Sequence, residues 1–120
     1  MAAALRGLIV ALLLAGCERS PPGEEPATGG NPKQGRQLIQ HFGCGSCHKI
    51  SGVPGANATV APPLEKLKRR VYLAGRFANT PQNLVAWIHD PRAMDSQTAM
   101  PAVGVDEQQA RDIAAYLYTR

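Results

Sequence analysis

The sequence predicts an all-α domain of three to five short helices. Three observations carry that expectation. Cap-and-proline start signals recur along the chain, apolar residues follow each at helical spacing, and no run alternates apolar and polar residues as a strand would. The chain has 120 residues, room for one small domain. Aromatic residues make up only 5% of it, so a core built from its own side chains is thin. Domains of this size commonly add disulfides, a metal or a cofactor. The net charge of +4 is mildly basic; it suits acidic surfaces and gives no case for nucleic acid.

The first helix is expected from Asn31-Pro32, a cap residue followed by proline at the first helical position. Leu38, Ile39 and Phe42 give it one apolar face, and Gly43 ends it. A shorter helix is expected over Leu64 to Leu73. Thr80-Pro81 repeats the first start signal ahead of Leu84, Val85, Trp87 and Ile88, and Asp90-Pro91 stops that helix. Asp106 and Gln109 resemble a capping box, and Ala110, Ile113, Ala114 and Leu117 line one face behind it. The loops SGVPGANATVAPP and DSQTAMPAVG lie between these segments.

The N-terminus reads differently. In residues 1–16, MAAALRGLIVALLLAG, one arginine precedes an apolar run too short to span a bilayer and suited to a signal peptide. The run closes on Leu14-Ala15-Gly16-Cys17, which looks like a bacterial lipoprotein box with Cys17 as the lipidated residue. Several acyl chains on one residue make a durable membrane anchor. Residues 17–32 are then the lipidated cysteine and a flexible linker, since ERSPPGEEPATGGN is rich in proline, glycine and glutamate without apolar periodicity. The folded domain is expected over residues 33–120. These features imply a bacterial periplasmic location on a membrane, with the outer face of the inner membrane favoured.

The segment Gly43-Cys44-Gly45-Ser46-Cys47-His48 holds the other two cysteines. A redox CxxC belongs after a strand in a βαβ unit, and no strand precedes Cys44. Zinc needs four ligands, and no further cysteine is available while His41 and His89 are isolated. CxxC followed at once by His signals attachment of a c-type haem. Each thiol adds to one vinyl group, and His48 projects toward the iron. Small Gly45 and Ser46 would let the backbone approach the porphyrin edge. The count closes, with one cysteine for lipid and two for haem. The haem would also fill the core that the few aromatics cannot, so little stable structure is expected without it. For the sixth ligand Met100 is preferred, because Pro101 stiffens its loop. Met94, His41 and His89 are the other candidates, each more readily read as a packing or surface residue.

With these residues in place, the segment from Lys33 to Arg120 resembles a class I cytochrome c. GCGSCHKI, APPL (61–64), AMP around Met100 and the final RDIAAYL fall in family order. The run AGRFANTPQNLVAWIHDP is similar to the cytochrome c domains fused to subunit II of some haem-copper oxidases. The resemblance implies that Pro62 presents its carbonyl to the His48 ring N–H, orienting the ligand. It implies that Gly35 lets the first helix approach the last at Ile113 and Tyr116. Trp87 would pack beside the haem, and Arg69, Arg70 or Arg76 would pair a propionate, unless these are a core tryptophan and solvated surface arginines. Pro63 departs from many relatives.

The function expected is single-electron transfer in a respiratory chain by a membrane-tethered monohaem cytochrome c, not an enzyme. Its iron would cycle between Fe(II) and Fe(III). The expected partners are redox proteins: a quinol-oxidising complex as donor and a terminal oxidase as acceptor. A fixed electron-entry subunit of an oxidase or dehydrogenase complex is the alternative, and a haem sensor or peroxidase-like enzyme a more distant one. The basic run Lys66-Leu67-Lys68-Arg69-Arg70, with Lys49, would guide an acidic partner or simply form a solvated helix face.

Overall fold

The computed structural model describes Gly23, Glu25 and residues 27–120. The signal peptide expected at 1–16 and the lipidation residue Cys17 lie outside the described residues. Helix α1 runs Pro32–His41, with the Asn31 side chain accepting from the Lys33 and Gln34 amides. Helix α2 runs Pro81–His89 from the Thr80 cap, and α3 is a single turn, Pro91–Met94, capped by Asp90. Helix α4 runs Glu107–Tyr118 and starts on a complete capping box between Asp106 and Gln109. Among the described residues, no helix is long and apolar enough to cross a membrane.

The frame of the domain is the crossing of α1 on α4. Gly35 lies against the backbone of α4 so closely that a Cβ there would stand 1.9 Å from the Asp112 carbonyl oxygen. No side chain fits that position, so the role that the family resemblance implied for this glycine is a steric necessity here. Ile39, Ile113 and Tyr116 are buried beside the contact. The Tyr116 hydroxyl donates to the Ser51 carbonyl at 2.7 Å, so the one polar atom of this large side chain is satisfied. Helix α2 packs its Leu84, Val85 and Ile88 face into the same core, which α4 shares.

The structure departs from expectation in two places. The helix expected over Leu64 to Leu73 is instead a 3-10 turn, Leu67–Arg69, followed by an antiparallel ribbon of β1 (Tyr72–Leu73) and β2 (Phe77–Ala78). Lys66 takes φ 55° ahead of the turn, and the ribbon reverses through Ala74 (φ 49°) and Gly75 (φ 68°). Those left-handed residues break a helix and make a hairpin turn, with the Arg76 amide donating to the Leu73 carbonyl. The all-α class stands, since this ribbon is two residues per strand.

The second departure is in the linker, residues 17–32. Its C-terminal part is folded. Glu25 and Gly30 pair across a tight turn, and Thr28 is buried. A Cβ on Gly30 would stand 2.1 Å from the Arg111 carbonyl oxygen, and the Asn31 amide donates to Asp112 Oδ1 at 2.8 Å. Packed chain therefore begins before α1, along α4, despite a composition that reads as a flexible spacer.

Candidate haem-binding site

The site begins where α1 ends. Gly43 takes φ 72°, and Cys44–Ser46 winds into a 3-10 turn. The Cys47 and His48 amides both donate to the Cys44 carbonyl, at 3.3 and 3.0 Å. Both thiols are thus carried on one tight turn, half-buried and free, with His48 directly after them. Burial pushes the Cys44 thiol above its ordinary range, and the neighbouring Cys47 adds to the rise. Gly45 is also held small by a neighbouring loop. A Cβ there would stand 2.8 Å from Ala56, so its smallness admits the 51–57 loop.

The His48 ring is fixed by Pro62. Its Nδ1 lies 2.7 Å from the Pro62 carbonyl oxygen, which can only accept, so Nδ1 carries the proton. Nε2 is left with the lone pair that a metal requires. The loop supplying this carbonyl is fastened on both sides to the cysteine segment. The Ala61 amide donates to the Cys47 carbonyl at 2.8 Å and the Leu64 amide to the Lys49 carbonyl at 2.9 Å. Arg70 braces the same loop, its Nη2 donating to the Pro63 carbonyl and, at 3.3 Å, to that of Glu65. The sequence did not reveal this use of Arg70; nothing in its neighbourhood along the chain marks Pro63 as a partner.

Leu38, Phe42, Cys44, Leu64 and Phe77 are half-covered apolar groups packed against the core. Trp87 is half-buried with its ring 5.7 Å from that of Phe77. Among the described residues no group accepts its indole N–H. Met100 lies in the loop after α3, half-buried, with its amide donating to Thr98 Oγ1 at 3.2 Å. Met94 ends α3, and His41 is exposed, edge-on to Phe42.

Other expected residues are engaged elsewhere. Arg76 pairs with Asp95 at 2.7 Å. His89 donates from Nδ1 to the Val105 carbonyl at 2.6 Å. The basic run is not a solvated helix face. Lys68 pairs with Glu25 at 3.7 Å and lies over the Tyr118 ring, and Arg70 turns inward. Among the described residues, Lys66 and Arg69 remain exposed without an ion pair, and Lys49 pairs with Glu65 at 3.4 Å.

Two thiols on one turn, a neutral imidazole held at Nδ1 with Nε2 unencumbered, and a half-covered apolar wall fit a covalently attached haem. Together with the helical frame they define the class as a c-type haem domain. The comparison with known proteins agrees. The Cytochrome c family matches residues 32–120, so the chain belongs to the cytochrome c family. Its cofactor is covalently bound haem c with iron, and it is a haem-based electron carrier. A cytochrome c oxidase subunit 2 of Alkalihalophilus pseudofirmus is 34% identical over 85 residues, which are 70% of this chain and 24% of that protein. The chain thus spans about a quarter of the length of this curated relative.

Proposed function

We propose that Cys44 and Cys47 form the two thioethers, that His48 Nε2 and Met100 Sδ are the axial ligands, and that the protein passes electrons at a bacterial membrane surface. Haem c supplies a one-electron Fe(II)/Fe(III) couple. The observation that carries the assignment is the 2.7 Å contact of His48 Nδ1 with the Pro62 carbonyl, directly after a CxxC turn.

The protein's own residues do the rest. The Pro62 carbonyl accepts a hydrogen bond from Nδ1–H, fixing the ring plane and making Nε2 a better ligand. The amide bonds of Ala61 and Leu64 keep that carbonyl aimed. Met100 as second ligand would raise the potential relative to two nitrogens and leave no open site for a substrate, which suits a carrier rather than an enzyme. Phe77 and Trp87, half-buried with their rings 5.7 Å apart, would wall the haem with apolar surface, which favours the less charged reduced state. Cys17 would carry the lipid anchor in the periplasm, on the outer face of the inner membrane. A quinol-oxidising complex would donate electrons and a terminal oxidase accept them. The similarity to an oxidase subunit 2 supports the oxidase link and favours a second reading, a fixed electron-entry subunit.

Four measurements test this. A pyridine-haemochrome spectrum of the exported protein should be of the covalent type, and its absence would refute the site. Met100→Ala should abolish the ligand-field band of the thioether, and an unchanged band would refute that ligand. Cys17→Ala should move the protein from the membrane to the soluble fraction; if it stays on the membrane, the anchor is wrong. Co-purification with an oxidase after mild detergent extraction separates the fixed subunit from the mobile carrier.

A further inference from the structure

Residues 95–106 join α3 to α4 and carry Met100. Inside this loop the polar contacts are local. The Gln97 amide donates to Asp95 Oδ1 at 3.1 Å, the Thr98 amide to the Asp95 carbonyl at 3.1 Å, and the Met100 amide to Thr98 Oγ1 at 3.2 Å. Residues 101–104 are exposed, and among the described residues none of them makes a hydrogen bond. The loop is fastened to the rest of the domain near its two ends. At the first, Arg76 Nη1 from the ribbon lies 2.7 Å from Asp95 Oδ2. At the second, His89 Nδ1 at the end of α2 donates to the Val105 carbonyl at 2.6 Å, and the Val105 side chain is buried.

We propose that His89 and Arg76 are positioning residues for the axial methionine, pinning both ends of its loop so that the thioether stays over the iron. The inference rests on the assignment of Met100 given above. Both side chains come from elements outside the loop and are exposed themselves, so neither contributes much to the core. Their bonds act on the freedom of the segment between them. A loop held at both ends has few ways to carry its sulfur off the metal. Releasing one end multiplies those ways and makes the open, ligand-free state more populated.

The probe is imidazole binding to the ferric holoprotein, which competes with Met100 and is read by loss of the thioether band. His89→Ala should bind imidazole about fivefold more tightly, the factor set by one net hydrogen bond. His89→Asn, whose Nδ2 can donate as His Nδ1 does, should return toward the parent. Arg76→Ala should tighten binding about twofold, with the difference shrinking in high salt as expected for an exposed pair. Val85→Ala, which weakens the core on the same helix, should leave imidazole affinity unchanged well below its unfolding midpoint. If His89→Ala binds as the parent does, or if Val85→Ala matches it, the proposal fails while Met100 stands. If Met100→Ala keeps the band and binds imidazole as the parent does, the ligand assignment fails and takes the proposal with it.

Discussion

The α1–α4 crossing and the Met100 loop lie at opposite extremes of this small domain. At the crossing, backbone meets backbone: Gly30 and Gly35 leave no room for a methyl group, and Ile39, Ile113 and Tyr116 are buried around them. In the loop, Val105 is the one buried side chain between Asp95 and Asp106, and the ordering contacts are local hydrogen bonds and two pins from outside. The polypeptide builds one buried cluster from its own side chains. Leu38, Phe42, Leu64 and Phe77 are only partly covered at its edge, apolar surface that a haem would cover. The contrast separates stability from redox tuning: mutations at the crossing should act on folding, and, with Met100 as the proposed ligand, mutations around the loop should act on the iron.

The largest test of that division is loss of the cofactor. Cys44→Ala with Cys47→Ala should remove most cooperative structure. Residual helicity by circular dichroism and hydrogen-exchange protection should concentrate in α1 and α4; equal loss throughout would break the comparison. Next comes Gly35→Ala. A Cβ placed 1.9 Å from a carbonyl oxygen forces the helices apart, and denaturant titration of the holoprotein should show a loss of about 3 kcal/mol. The thioether band should be unchanged in the fraction that folds. Tyr116→Phe removes the 2.7 Å bond to the Ser51 carbonyl and should cost about 1 kcal/mol, again without moving the potential.

The smallest effect is electrostatic. The Ser51 hydroxyl and the Lys49 ammonium hold the Glu65 carboxyl below the usual carboxylate range. Its folded value is depressed, so its contribution is complete above the unfolded value and is lost as pH falls through the folded one. Glu65→Gln should therefore lower the unfolding midpoint slightly at pH 7 and leave it unchanged once both proteins are below that window.

Much of this was legible in the sequence, for local reasons. Asn31, Thr80 and Asp106 announce α1, α2 and α4 because a cap acts on amides two or three residues away. Cys44, Cys47 and His48 are legible because their chemistry needs adjacency. The Pro62 carbonyl contact is where the family resemblance placed it. What escaped depends on distant partners. The ribbon turns on Ala74, a residue that rarely takes positive φ, so its apolar neighbours read as a helix. Arg76 reads as a propionate partner or a solvated surface arginine, and nothing along the chain marks Asp95, nineteen residues on, as its partner. His89 reads as a helix-end surface histidine, and Val105 carries no mark of accepting from it. Gly30 sits in a run that composition assigns to a spacer, and only the α4 backbone shows why it must be glycine.

The docked segment, Glu25 and residues 27–31, would shorten the leash of the acyl anchor proposed at Cys17. With an acyl anchor on Cys17, only the seven residues 18–24 separate lipid from packed protein. Fully stretched, such a span covers about 25 Å, little more than half of what a spacer running to α1 would allow. The haem domain would then search a thin film above the bilayer, meeting redox sites near the headgroups at high local concentration and missing those set farther out.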